Sequence, residues 1–230
     1  AIMKLFKRPF KVKGERISFS AAICGIINVQ EVKEIDVLID YLEYLVQLKP
    51  KSDRTILIQN DQHTKEGFLY EQEVKKYMAT AIEEDLFEVY YQPVYSTEKN
   101  DFVTLEALSR LHHPELGWIA PDGFIQIAEK NHMIEQITDL QFSRVCRFLG
   151  ENRYLMRHLL MKKLFNIKVN LSSLDLMRSD CSSHFIRMMD DMDIQHDWIQ
   201  FEITETVATE YNAGLGMVVD GFMAAGVRLC

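Results

Sequence analysis

From Phe87 onward, short stretches of apolar residues alternate with segments whose apolar residues recur at helical spacing. Phe87–Tyr95, Phe102–Leu111, Phe165–Leu171 and Ile199–Thr204 read as strands, and Val227 opens another. Between them, Pro121 marks a helix start, a place where proline's missing N–H costs nothing, and helices continue to Leu149. His184–Met192 carries Phe185, Met188, Met189 and Met192 on one face, and Ala208, Tyr211, Leu215, Val218 and Phe222 stripe the next helix. The turn-rich run His113 to Trp118 separates the second strand from Pro121. Repeated strand–helix alternation with short apolar strands predicts a parallel sheet or barrel.

The first sixty residues pattern differently. Arg16–Ile26 is β-rich, Val32–Leu48 is helical, and Thr55–Ile58 returns to strand. Gln59–Gly67 reads as a polar connector, and Val74, Tyr77, Met78, Ala81 and Ile82 then form the stripe of an amphipathic helix. The predicted organisation is a small, incomplete α/β unit over 1–62, a connecting helix over 63–86, and part of a (β/α)8 TIM-like barrel over 87–230.

Bulk composition narrows the function classes. With 47% apolar and 26% charged residues among 230, the chain is an ordinary globular protein. Its net charge of −8 and lack of a long basic run argue against binding a nucleic-acid polymer. The basic N-terminal dozen residues (Lys4, Lys7, Arg8, Lys11, Lys13) suit a solvated face as well as a partner. No apolar run approaches the roughly 20 residues that span a bilayer. Cys24, Cys146, Cys181 and Cys230 lie far apart without a CxxC pair, as expected of reduced thiols in a cytoplasmic protein. The methionines between Met177 and Met217 read as core filling.

The candidate chemistry lies at strand ends. Side chains alternate across a strand, so Glu106, Leu108 and Arg110 share one face and Leu105, Ala107 and Ser109 the other. Asn170 shares a face with Lys168, and Glu202 lies opposite Phe201 and Ile203. Glu106, Asn170 and Glu202 can therefore converge at one barrel mouth, where barrel enzymes keep their chemistry. Three oxygen donors suit a hard divalent cation, and without one the two glutamates would repel, one tending to hold a proton. Plainer readings stand beside this. A strand glutamate can face solvent, Asn170-Leu171-Ser172 can be a turn or helix cap, and Glu205 can simply favour a helix dipole.

Order, spacing and flanking residues together resemble the EAL-domain family, phosphodiesterases that open the bacterial second messenger cyclic di-GMP. The motifs are Tyr91-Gln92-Pro93, Glu106-Ala107-Leu108-Ser109-Arg110, His113-Pro114-Glu115-Leu116-Gly117, Pro121 through Phe124-Ile125, Ala128-Glu129, Asn170-Leu171-Ser172 and Glu202-Ile203-Thr204-Glu205. They span about residues 70–230, and residues 6–60 more weakly resemble the second half of a GGDEF domain without its signature segment. The resemblance implies Glu106, Asn170 and Glu202 as ligands of Mg²⁺ or Mn²⁺. It implies Gln92, Leu108 and Arg110 as substrate-binding residues, with Arg110 on a phosphate, and Glu205 as a catalytic-site residue holding a loop. The implied reaction is attack of water on one phosphodiester bond, giving linear pGpG.

Departures from the family pattern qualify that expectation. The family's paired aspartates and a downstream lysine would follow Cys230, so the chain reads as a C-terminally truncated portion whose own activity is in doubt. Gly123 stands where a bulkier residue is usual, and Ser109 replaces a common leucine. The alternative is a regulatory module that binds cyclic di-GMP or docks partners without hydrolysis. A homodimer through the barrel is a further expectation drawn from the family.

Overall fold

A computed structural model describes residues 9–18, 22–25, 35–48, 56–59, 61–161, 166–203 and 213–230. The chain divides into two compact units, Ala1–Glu73 and Val74–Cys230.

In the first unit, β1 (Phe10–Val12) and β2 (Glu15–Ile17) pair antiparallel. Lys13 and Gly14 turn the chain between them with φ of 52° and 90°, the left-handed pair that a two-residue hairpin loop requires. β3 (Ala22–Gly25) precedes α1 (Ile35–Gln47), and β4 (Ile56–Gln59) then pairs parallel with β3. The described parts of the β-rich run Arg16–Ile26 fall in β2 and β3, which belong to two separate sheets. A correction concerns Gln59–Gly67. Helix α2 (Gln62–Glu83) begins inside this expected connector, because Asp61 and Thr64 cap it reciprocally. The Asp61 carboxylate accepts from the Thr64 amide at 2.8 Å, and the Thr64 hydroxyl accepts from the Asp61 amide at 2.9 Å. The Thr64 amide first, and then the Thr64 side chain, hold the Asp61 carboxyl below its ordinary pKa. Tyr41 and Leu45 of α1 pack with Phe68 of α2 into a small core. Gly67 lies so close to the Tyr44 hydroxyl that any Cβ there would collide with it.

The second unit is built on one sheet. β5 (Glu88–Ser96) and β6 (Asp101–His113) form a long antiparallel hairpin, and β7 (Gly117–Ile119) folds back on the end of β6. The turn joining β6 to β7 is held by the buried His113 ring, whose Nδ1 accepts from the amides of Glu115 and Leu116. Gly117, at φ 72°, supplies the left-handed step. Three helices follow: α3 (Pro121–Lys130), α4 (Ile134–Glu151) and α5 (Arg153–Met161). β8 (Ile167–Leu171) leads through the short α6 (Ser173–Met177) to α7 (Cys181–Asp191). β9 (Ile199–Ile203), α8 (Ala213–Ala224) and β10 (Arg228–Leu229) complete it. The sheet order is β10-β9-β8-β6-β5, parallel throughout except for β5.

Strand parity separates core from site. Ile167, Val169 and Leu171 of β8 and Ile199 and Phe201 of β9 are buried beneath the helices. The alternate residues Lys168, Asn170, Gln200 and Glu202 are half-buried on the opposite face. On the helical side, Phe142 of α4 packs against Phe185 of α7 and Phe201 of β9, and Phe222 of α8 closes on Phe201. A second core joins Val74, Met78 and Ala81 of the α2 stripe to Phe87, Leu111 and Phe124. Such aromatic and aliphatic burial stabilises by about 1.5–3 kcal/mol per large side chain. Helix α4 is fixed to the sheet by a polar tie, since the Gln141 side chain donates to the Ala107 carbonyl at 2.9 Å.

Candidate active site

The two faces of β6 have different employment. Ala107 is fully buried in the helical core, whereas Glu106, Leu108 and Arg110 project from the other face. Gln92 of β5 and Lys168 of β8 flank Glu106 in register, and the row continues through Gln200 to Arg228. One step toward the C-terminal ends of the parallel strands, Tyr90 pairs with Leu108, and Asn170 with Glu202.

Side-chain contacts draw part of the expected set together. Asn170 donates from Nδ2 to Glu106 Oε1 at 2.9 Å, bridging β8 and β6. Glu202 neighbours Asn170 in register, and its Oε2 accepts from Lys168 Nζ at 3.3 Å. Burial opposes the ammonium of Lys168. Cys230, the hydrogen bond to Glu202 and the charges of Glu202 and Glu106 outweigh that and raise its pKa above the ordinary value. Arg110 lies 5.7 Å over the Tyr90 ring and donates to the Ser109 carbonyl at 3.0 Å. Gln92 and Leu108 lie on the same face as Glu106 by register. Glu205 lies outside the described residues.

Two residues after Asn170 the chain turns into α6. Ser172 caps that helix: its hydroxyl accepts from the Asp175 amide at 3.1 Å. The Asp175 carboxylate accepts from the Ser172 amide, the Ser172 hydroxyl and the Thr138 hydroxyl of α4 at 2.8 to 3.0 Å. The helix cap open for Asn-Leu-Ser is made by Ser172, while Asn170 lies within β8, one residue before its end. Asp175 is fully buried and its Oδ1 has no partner among the described residues. Burial raises its pKa despite the Ser172 and Thr138 bonds, and Glu129 is raised as well, first by burial and then by the charge of Asp175.

Among the described residues no group of three or more His, Cys, Asp or Glu is disposed to hold a metal. The set on this face is instead two carboxylates and one amide, hard oxygen donors of the kind that Mg²⁺, Mn²⁺ and Ca²⁺ accept. The donor that residue patterning left unassigned is Lys168, whose parity with Asn170 already set it on this face.

A mainly parallel sheet covered by helices on one face, with Asn170 and Glu202 near the C-terminal ends of β8 and β9 and Glu106 within β6 on the other face, is a TIM-barrel-like α/β arrangement. The family described as EAL domain matches residues 76–230. The chain belongs to the EAL-domain family. It is similar to the cyclic di-GMP phosphodiesterase NbdA of Pseudomonas aeruginosa, 31% identical over 142 residues that cover 62% of this chain and 17% of NbdA. Among solved structures, it resembles PaMucR phosphodiesterase in complex with c-di-GMP, with 24% identity and a TM-score of 0.61 over 68% of this chain and 62% of that one. A Vibrio cholerae LapD S helix-GGDEF-EAL structure, bound to c-di-GMP, aligns over 90% of this chain and 47% of its own, at 13% identity and a TM-score of 0.58. The chain spans about a fifth of the length of the curated relatives it matches. No helix among the described residues is long and apolar enough to cross a membrane.

Proposed function

We propose that this chain carries part of the catalytic site of a cyclic di-GMP phosphodiesterase that yields linear pGpG. The observation that carries the reading is that Glu106, Asn170 and Glu202 share one face of adjacent parallel strands, Asn170 in register with Glu202 and bonded at 2.9 Å to Glu106, which stands level with Lys168. NbdA bears the name of that activity, and the EAL-domain match covers the strands concerned.

In this reading Glu106 and Glu202 offer carboxylate oxygens, and Asn170 its Oδ1, to Mg²⁺ or Mn²⁺. The amide of Asn170 fixes the Glu106 carboxylate while leaving its own carbonyl oxygen for the ion. A bound divalent cation would polarise the phosphoryl oxygen and lower the pKa of water. Arg110 would pair with a phosphate of the dinucleotide through its planar fork, already aligned over Tyr90. Gln92 would donate to the substrate from the strand beside Glu106, and Leu108 would supply apolar contact between them. Glu205 keeps its proposed role in holding an adjacent loop.

The parallel β3–β4 pair with α1 between them in the chain, together with the extent of the LapD alignment, supports a GGDEF-like remnant over the first unit. A cytoplasmic setting belongs to the same proposal, supported by four cysteines outside any disulfide.

The test is calorimetric titration of cyclic di-GMP into the 230-residue chain with Mg²⁺ or Ca²⁺, followed by chromatography for pGpG. Product that disappears in Glu106→Gln supports hydrolysis. Binding without product supports the alternative, a module that senses the nucleotide, which the pairing of Glu202 with Lys168 favours. Neither binding nor product would overturn the assignment of this face to the dinucleotide.

A further inference from the structure

We propose that Lys168 is a built-in counter-cation of the carboxylate face: its ammonium holds Glu202 in the metal-free protein, and a divalent ion binds by displacing it. The inference rests on the reading of Glu106, Asn170 and Glu202 as the metal-holding set and adds a competitor to it.

Register places Lys168 between Glu106 on β6 and Gln200 on β9, two residues before Asn170 and on the same face. Its side chain does not end on the glutamate directly beside it. It reaches diagonally to Glu202, with Nζ 3.3 Å from Oε2, while Glu106 receives the Asn170 amide instead. Each carboxylate thus has its own donor, one an amide and one a full positive charge.

The two donors answer an incoming cation differently. The Asn170 amide donates to Glu106 through Nδ2 and keeps its carbonyl oxygen for the cation, so it can serve as a ligand without giving up that bond. An ammonium has no acceptor and three donors, so it cannot join the coordination shell. A divalent ion and the Lys168 ammonium on one carboxylate would also repel each other strongly at such separations. The four-carbon stem of lysine allows the ammonium to swing away without moving β8. With its side chain 24% exposed, Lys168 has solvent to swing toward.

Two measurements on the 230-residue chain test this. Lysine-resolved reductive methylation is followed by peptide mass spectrometry with and without Mg²⁺, using exposed Lys76 as the internal reference. In parallel, Mn²⁺ affinity is determined by electron paramagnetic resonance for the unmodified chain, Lys168→Gln and Lys168→Arg. Displacement predicts faster methylation of Lys168 when Mg²⁺ is present. It also predicts Mn²⁺ binding about three- to tenfold tighter in Lys168→Gln, with no such gain in Lys168→Arg. Mn²⁺ uptake by Lys168→Gln alone would equally support it. Unaltered Lys168 labelling in a protein that takes up Mn²⁺, or equal or weaker binding by Lys168→Gln, overturns this inference and leaves the functional reading intact. Absence of Mn²⁺ uptake in all three proteins overturns both.

Discussion

Asn170 and Glu106 stand on neighbouring parallel strands and are joined by one hydrogen bond of 2.9 Å, so the amide of one sets the carboxylate rotamer of the other. Replacing Asn170 with alanine removes both that constraint and an oxygen donor. The expected result is divalent-cation affinity lower by about 10–100-fold, the usual cost of losing a group that orients a ligand. Isothermal titration with Mn²⁺ reads it, and an unchanged affinity would exclude Asn170 from the site.

The proposed phosphate contact of Arg110 gives a separate test. Arg110→Ala is expected to weaken cyclic di-GMP binding by roughly 10–100-fold, the worth of charge-assisted hydrogen bonds to phosphate. Arg110→Lys should recover little of it, because a point charge replaces a planar fork that also stacks on Tyr90. Full recovery in the lysine variant would show that charge alone matters there.

Asp175 and Glu129 predict a pH dependence of stability. Both carboxyls have pKa values raised in the folded protein, so the native state holds more protons than the unfolded chain over the window between the two values. Their contribution is greatest below the ordinary carboxylate range and declines as pH rises through the folded values. Asp175→Asn, which keeps an oxygen for Ser172 and Thr138, should flatten that decline in a series of thermal melts. A slope identical to that of the parent would assign the dependence to other groups.

The cysteines should sort by burial. Cys146 and Cys181 are fully enclosed, and burial pushes both thiols up to about 12, so neither supplies thiolate at neutral pH. Cys230 is exposed. In a native alkylation time course Cys230 should react first, with Cys146 and Cys181 reacting only when denaturant opens the core. Rapid labelling of Cys146 would mean that α4 detaches readily from the sheet.

Gly221 gives a packing prediction. A Cβ on this residue of α8 would collide with the Ser182 hydroxyl of α7 and come within 3.0 Å of the Ser182 Cβ. Gly221→Ala is expected to destabilise the second unit by about 1–3 kcal/mol, the range for overpacked contacts. Adding Ser182→Ala should return part of the loss, measurable by urea denaturation.

How far the sequence discloses this architecture differs by element. The strands of the second unit were legible because β8 and β9 bury alternate residues, and two-residue periodicity survives in Ile167, Val169 and Leu171. The same parity set Glu106, Asn170 and Glu202 on a common face. Helix α5 was not legible: Tyr154 and Leu155 are exposed, which scatters the apolar pattern on which a helix is recognised. Helix α6, with five residues, is too short to show any period, and is betrayed only by the Ser172–Asp175 cap. The reach of Lys168 to Glu202 lies beyond parity altogether, since alternation fixes a face and leaves the rotamer open.

β5 runs against the other strands of its sheet, so Gln92 and Tyr90 approach the candidate site from a chain travelling away from it. The hairpin turn of Thr97–Asn100 therefore lies at the opposite end of β6 from Arg110. Exposed loop tips are where chains best accept added sequence. A peptide tag or fluorescent reporter could be carried on that turn, with the binding face left clear, and the protein could be immobilised or tracked without occluding the chemistry it is proposed to perform.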